Sequence, residues 1–171
     1  KTYKLNCLII RLSNNYGPFQ FPEKLIPNIL HKIKNNRKIE IYGSGKNQRE
    51  WMYVKDTCLA LFRFVKEKKI YSDSYNIGSG KTYSNLEIVK KILNNLGKKP
   101  IKKYFKFVKD RPGHDKRYCL DSNKFKQKYK WKPKYSLNDG LNLTIDWYKK
   151  NDKWINYINK NFKDKRIGKI K

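Results

Sequence analysis

Residues 5–12 read Leu-Asn-Cys-Leu-Ile-Ile-Arg-Leu, a nearly unbroken apolar run. Such a run is how a strand buried on both faces of a parallel sheet appears in sequence. It gives way at once to Ser13-Asn14-Asn15-Tyr16-Gly17-Pro18, a polar string with helix-breaking residues at its end. In open α/β sheets ligands bind beyond the carboxyl ends of the strands, so residues 13–17 stand where a ligand loop belongs. A buried-type strand also needs neighbours, and without them it leaves an apolar sheet edge open.

Alternating elements follow. Apolar residues at 25, 26, 29, 30 and 33 mark one face of a helix over 23–35, with Pro22 near its start. Ile39-Glu40-Ile41 alternates as a short strand, Gly43-Ser44-Gly45 turns, and residues 49–54 read as another strand. Residues 56–66 are helical in period, with Asp56 expected as the N-cap. Tyr75 to Gly78 reads as a strand entering a glycine turn, and Ser84 with Glu87 forms a capping box for a helix over 85–96 that Gly97 closes. Strands at 105–108 and 118–120, a helix ending at Tyr129, and a last helix over 137–150 complete the pattern. Trp154, Ile155, Tyr157 and Ile158 are the packing groups of a basic tail.

The chain has 171 residues, is 38% hydrophobic and carries a formal net charge of +28. That is enough apolar content for a core. The charge raises the possibility of a polyanion partner. Arg, however, occurs only at 11, 37, 49, 63, 111, 117 and 166, and base readout favours Arg forks. Lys, Asn, Ile and Tyr share A- and T-rich codons, so composition bias and solvated helix faces account for the excess. A nucleic-acid-binding protein that keeps the fold stays open as the alternative.

Cys7, Cys58 and Cys119 are far apart among apolar neighbours, and are expected as small core residues in a reducing compartment. Two histidines and no Cys-x-x-Cys argue against zinc. With no apolar stretch of spanning length and no signal-peptide pattern, a soluble cytoplasmic protein is expected.

Two glycine motifs are set aside. Gly78-Ser79-Gly80-Lys81-Thr82 resembles the end of a phosphate loop, but the first glycine would fall on Tyr75. Gly43-Ser44-Gly45 lacks the third glycine of a dinucleotide turn, since Gln48 stands there, and no helix follows.

Seven strings in order resemble the dTDP-glucose 4,6-dehydratases. They are residues 13–18, residues 21–27, Tyr42-Gly43-x-Gly45, Arg49-Glu50-Trp51-x-Tyr53-Val54, Tyr75-Asn76-Ile77-Gly78, Asp110-Arg111-Pro112-Gly113-His114-Asp115 and Trp131-Lys132-Pro133. The resemblance runs from about Lys4 to Asn151. It implies an α/β fold, the C-terminal part of an NAD(P)-binding Rossmann-like extended short-chain dehydrogenase/reductase. Residues 1–22 would be a final Rossmann-type strand and ligand loop. Residues 23–150 would be mostly the nucleotide-sugar-binding domain with returning Rossmann elements, and 151–171 a basic tail. These enzymes oxidise C4 of the hexose with NAD, eliminate water across C5 and C6, and return the hydride to C6, giving the 4-keto-6-deoxy sugar nucleotide. The family's NAD turn, Tyr-x-x-x-Lys pair and Asp-Glu pair precede the first residue here. The resemblance therefore implies a substrate-binding portion without catalytic residues, a missing N-terminal half or split subunit as partner, and a homodimer for the full-length enzyme.

Residue by residue, the resemblance places Asn14 on the substrate's phosphate or sugar, and Ser13 and Asn15 near the nicotinamide of NAD. An amide supplies both donor and acceptor; read without the resemblance, Asn14 and Asn15 could equally shape a turn. It places Lys24 and Leu25 at the nucleotide, at a helix start that favours anions. Glu40, Ile41 and Tyr42 would face the base, with Tyr42 stacking on it. The family has Pro-Val where Glu40-Ile41 stand, which leaves dTDP and UDP both open. Arg49 and Arg111 would grip the diphosphate through guanidinium forks. Asn76, Asp110 and His114 would contact the nucleotide, His114 being open also to a structural role. Tyr148 would close the pocket or belong to the core.

Overall fold

The computed structural model describes residues 2–67 and 72–161, and the side chains of those residues up to 158. Its elements in order are β1 (Leu8–Leu12), β2 (Asn14–Tyr16), α1 (Leu25–Lys34), β3 (Ile39–Tyr42), β4 (Gln48–Tyr53), α2 (Val54–Val65), β5 (Asp73–Ile77) and β6 (Thr82–Ser84). Then come α3 (Asn85–Asn95), a 3-10 turn (Ile101–Tyr104), β7 (Phe105–Val108), β8 (Arg117–Tyr118), α4 (Asn123–Tyr129), α5 (Leu137–Lys150) and α6 (Asp152–Asn161). The parts of the expected tail beyond residue 161 lie outside the described residues.

The strands of the described residues form three small sheets. β1 pairs parallel with β5, from Leu8 opposite Asp73 to Leu12 opposite Ile77. β4 pairs parallel with β2 and β8 and antiparallel with β6. β3 pairs parallel with β7, Tyr42 lying opposite Val108. The expected α/β class with parallel strands is what the chain adopts.

Strand β4 divides the core in two because successive side chains leave a strand on opposite faces. Trp51 and Tyr53 join Tyr16 and the helix residues Ile26, Ile29, Ile92, Leu93 and Leu141 in one cluster. Met52 joins Ala60, Phe64, Tyr75, Ile77, Phe125 and Trp131 in the other. The β1–β5 pair is covered by the second cluster on one face only: Leu8, Ile10 and Leu12 pack against it. Ile9 on the opposite face is 51% exposed.

Several expectations change. The first strand starts at Leu8, not Leu5, which is exposed, and its burial alternates instead of being complete on both faces. Cys7, Cys58 and Cys119 are all exposed thiols and not core residues. Asp56 does not cap α2, whose N-cap is Tyr53. The buried Asp56 carboxylate instead accepts the backbone N–H groups of Lys134 at 2.9 Å and Tyr135 at 3.1 Å. The Ser84–Glu87 capping box forms as expected, and Gly97 ends α3 with a positive φ and a Lys98 N–H to Leu93 O bond of 2.9 Å. A short strand, β6, stands between the Gly78–Gly80 turn and that helix.

Candidate functional site

Polar groups converge first at the carboxyl ends of β1 and β5, which lie together because the strands are parallel. Ser13 N–H donates to Ile77 O at 3.0 Å, holding the loop after β1 against the end of β5. The Ser13 hydroxyl is buried without a partner, as is Oε1 of Gln20 seven residues on. Buried polar atoms are ordinarily paired, so the two orphans that flank β2 are open to a partner. Asn14 is half-buried on β2 opposite Trp51. Asn15, in contrast, has its amide engaged: Nδ2 donates to Ser13 O at 3.0 Å and Oδ1 accepts from the Thr57 hydroxyl. It shapes the loop and ties it to α2.

A second convergence forms where β3 and β7 end side by side. The Gly43 N–H donates to Val108 O at 2.9 Å, and a side chain at Gly43 would strike the Asp110 carboxylate 2.7 Å away. Asp110 Oδ1 receives His114 Nδ1 at 2.7 Å and the Arg111 N–H at 2.9 Å. The His114 contact, aided by that N–H, holds the Asp110 carboxyl below the usual carboxylate range. Arg49 reaches across from β4, Nη1 donating to Asp115 O at 2.9 Å and to Gln48 O at 2.8 Å. Asn47 Nδ2 donates to the same Asp115 carbonyl at 3.1 Å, and Gln48 N–H donates to Lys116 O at 2.8 Å. The 109–116 loop is thereby pinned beside Tyr42 while the Arg111 guanidinium stays exposed.

The other residues singled out by sequence have partners within the protein. Asn76 Nδ2 donates to Asp121 O at 3.1 Å, just after β8. Lys24 precedes α1 and pairs with Glu23 at 2.5 Å, while Leu25 packs on the first core cluster. Ile41 is buried in that cluster. Burial opposes ionisation of Glu40, but Lys106 at 3.1 Å and Lys32 at 3.4 Å outweigh it and keep its carboxyl low. Tyr148 is buried, its hydroxyl donating to Gln20 O at 2.6 Å, and burial pushes its phenol well up. It lines an apolar cavity of about 270 Å³ between α1, α5 and α6, with Trp154 and Ile155 from α6.

Sequence reasoning passed over Glu50. Its carboxylate is fully buried and accepts the N–H groups of Gly80 at 2.5 Å and Leu120 at 2.9 Å. Gly78 must be glycine because any Cβ there would overlap that carboxylate. A charged residue beside Trp51-Met52-Tyr53 was the available signal, since a carboxylate is almost never fully buried unless paired.

A family model described as GDP-mannose 4,6 dehydratase matches residues 1–144. The chain belongs to this family. A dTDP-glucose 4,6-dehydratase of Xanthomonas campestris is 38% identical over 175 residues, covering 98% of this chain and 50% of the relative. The crystal structure of dTDP-glucose 4,6-dehydratase from Bacillus anthracis in complex with NAD is 39% identical with a TM-score of 0.83, over 92% of this chain and 49% of that one. UDP-glucose 4-epimerase of Thermotoga maritima, solved with UDP-glucose, is 27% identical with a TM-score of 0.75, over 84% and 46% of the two chains. The chain thus spans about half the length of the dehydratase-family relatives it matches, and the resemblance read from its motifs is borne out. No helix among the described residues is long and apolar enough to cross a membrane.

For a dehydratase-family protein the residues after β1 fit an NAD partner: the unpartnered Ser13 hydroxyl at a strand's carboxyl end is a free donor and acceptor for a carboxamide-type group. Among the described residues no cluster of His, Cys, Asp and Glu could hold a metal ion.

Proposed function

We propose that this chain is the C-terminal, nucleotide-sugar-binding portion of a dTDP- or UDP-glucose 4,6-dehydratase. The observation that carries the reading is the pinned 109–116 loop. Arg49 fixes it through Asp115 O, Asp110 and His114 brace it from within, and Arg111 is left exposed at its tip. A guanidinium held on a rigid loop beside a half-buried tyrosine suits a diphosphate next to a pyrimidine. In this reading Tyr42 stacks on the base, Arg111 and the remaining Arg49 donors take the diphosphate, and Asn14 contacts the sugar or its phosphate. Asn76, Lys24 and the backbone at Leu25 complete the nucleotide's surroundings. Glu40 and Ile41 support the β3 edge beneath Tyr42, and Tyr148 supports the Gln20 carbonyl.

NAD, when bound, supplies the hydride acceptor and donor of the 4,6-dehydration. This chain's share is to hold the nicotinamide side through Ser13, with Asn15 setting the loop, and to hold the substrate. The acid, base and nucleotide-fold groups come from an N-terminal half, in one polypeptide or as a second subunit, in a cytoplasmic homodimer. Alone, the chain binds and does not turn over.

Titration calorimetry with dTDP-glucose and UDP-glucose at moderate salt tests the reading. Saturable binding that weakens about tenfold or more in Arg111→Ala is expected from the loss of a charge-assisted contact. A folded chain that takes up neither ligand would overturn its role as a binding module.

A further inference from the structure

A second cleft, of about 460 Å³, opens between α2 and the chain that links α4 to α5. It shares no residue with the nucleotide-sugar site. One wall is a single face of α2 continued by its C-cap: Leu59, Phe62, Arg63 and the C-cap Lys66 follow at three- and four-residue spacing. The other wall is residues 130–134, Lys-Trp-Lys-Pro-Lys.

That second segment is anchored at both ends. Trp131 N–H donates to Lys126 O at 3.1 Å, and Lys134 N–H to Asp56 Oδ1 at 2.9 Å. Trp131 is buried while Lys130, Lys132 and Lys134 are exposed, so alternate residues turn their cations outward. Five of the eight side chains around the cleft are cationic, against 42 Lys and Arg in 171 residues, and no carboxylate lines it among the described residues. Uniform lysine enrichment would place about two cations in a lining of that size. The rest of the lining is apolar: Leu59, Trp131 and Phe62, the last 54% exposed with Lys66 Nζ 5.2 Å from its ring centre.

Two cationic walls around an exposed aromatic are the elements of a single-strand groove, in which phosphates track the charges and a base stacks on the ring. We propose that this cleft binds a short run of single-stranded nucleic acid. Phosphates lie between Arg63 and Lys66 on one side and Lys130, Lys132 and Lys134 on the other, and a base rests against Phe62. A polymer is favoured over a free nucleotide because the five cations are divided between two walls.

Fluorescence anisotropy of the full chain with a labelled oligothymidylate of about ten nucleotides tests this. Arg63→Gln/Lys132→Gln, which removes one cation from each wall at exposed positions, is expected to weaken binding about 25-fold near 0.1 M salt. It should also flatten the log–log salt slope by about 1.4. Phe62→Ala is expected to weaken binding about fivefold or more through lost stacking. Lys102→Gln/Lys103→Gln removes the same charge from the distant 3-10 turn and should leave affinity within about twofold, whereas equal weakening would reduce the cleft to bulk charge and overturn the proposal. Arg49→Ala and Arg111→Ala should leave the affinity unchanged, which separates this cleft from the nucleotide-sugar site. Competition by dTDP-glucose, or mononucleotide binding as tight as the oligomer's, would overturn it, as would failure to bind. Lys66→Gln/Lys134→Gln repeats the test should the first pair disturb folding.

Discussion

Arg49 and Glu50 are adjacent on β4 and secure opposite flanks of one loop system. Arg49 Nη1 holds Asp115 O at 2.9 Å, and Glu50 holds the N–H groups of Gly80 and Leu120 from the interior. The alternation of a strand sends the two side chains to opposite faces of β4, and the carboxylate is fully buried. The stretch from Asp115 to Leu120 is therefore clamped from both faces of β4, and the Gly78–Gly80 turn is carried with it.

Glu50→Ala is expected to destabilise the protein by about 2–3 kcal/mol, because it removes the acceptor of two backbone N–H groups and opens a cavity in the interior. Glu50→Gln should cost about 1–2 kcal/mol, since one carboxamide position turns from acceptor to donor against an N–H. Urea unfolding monitored by fluorescence ranks the two, and a Glu50→Ala protein as stable as the parent would show that the clamp carries no weight.

Arg49→Ala and Arg111→Ala should part company in stability. Arg49 donates to two carbonyls, so its loss is expected to lower stability by about 1–2 kcal/mol as well as to weaken nucleotide-sugar binding. Arg111 is exposed, and its removal should leave stability within about 0.5 kcal/mol while still weakening binding. Thermal melts of both variants beside their calorimetric titrations separate architecture from recognition. A melting temperature lowered equally in both would remove the distinction.

The loop brace also sets a pH dependence. Asp110 has its pKa depressed in the folded protein, chiefly by the His114 hydrogen bond. Such a group contributes stability that is present above the unfolded carboxyl value, about 4, and lost as pH falls through the lower folded value. The contribution is small because the carboxylate is 43% exposed. His114→Ala should move the Asp110 titration, followed by carboxyl NMR, up toward the ordinary value. It should also make the loop's hydrogen exchange insensitive to acid below pH about 4. An Asp110 titration unmoved by that substitution would mean that His114 does not brace the loop.

Much of this was legible in the residues. Periodicity located α1, α3 and α5 within two residues of their ends, and the Ser84–Glu87 box was visible because both partners are local. What failed was long-range. Asp56 looks like a cap because it heads a periodic stretch, yet its partners Lys134 and Tyr135 lie 78 and 79 residues away. Cys58 has an apolar neighbour at Leu59, but each helical step turns the side chain by about 100°, and α2 leaves both exposed. The three residues of β6 carry no pattern of their own and become a strand only by pairing with Gln48–Glu50. Within the candidate site the motifs marked Arg49, Asp110 and His114. That Asn15 is consumed by Thr57 and Ser13 could be seen only once α2 was in place.

Gly140 puts local propensity and packing in direct conflict. It stands inside α5, where alanine would favour the helix by about 1 kcal/mol. Its φ raises no objection, so propensity alone predicts stabilisation. The position is nevertheless buried against the Tyr16 ring, and a Cβ there would overlap the Tyr16 hydroxyl and come within 3.1 Å of Tyr53 Cβ. Tyr16 has little room to retreat: it is 2% exposed, rests against Trp51 and Tyr53, and donates to Leu137 O at 3.2 Å. Overpacking of this kind costs about 1–3 kcal/mol, and shifting the ring also threatens a buried hydroxyl's hydrogen bond, worth about 1 kcal/mol. The two penalties together exceed the helix gain, so Gly140→Ala is expected to destabilise by about 1–3 kcal/mol. Pairing it with Tyr16→Phe removes the clashing oxygen, and the double variant should recover part of that loss. Denaturant unfolding of the two single variants and the double variant checks the coupling. A stabilised Gly140→Ala protein, or strictly additive effects, would show that the helix, and not the contact with Tyr16, governs this position.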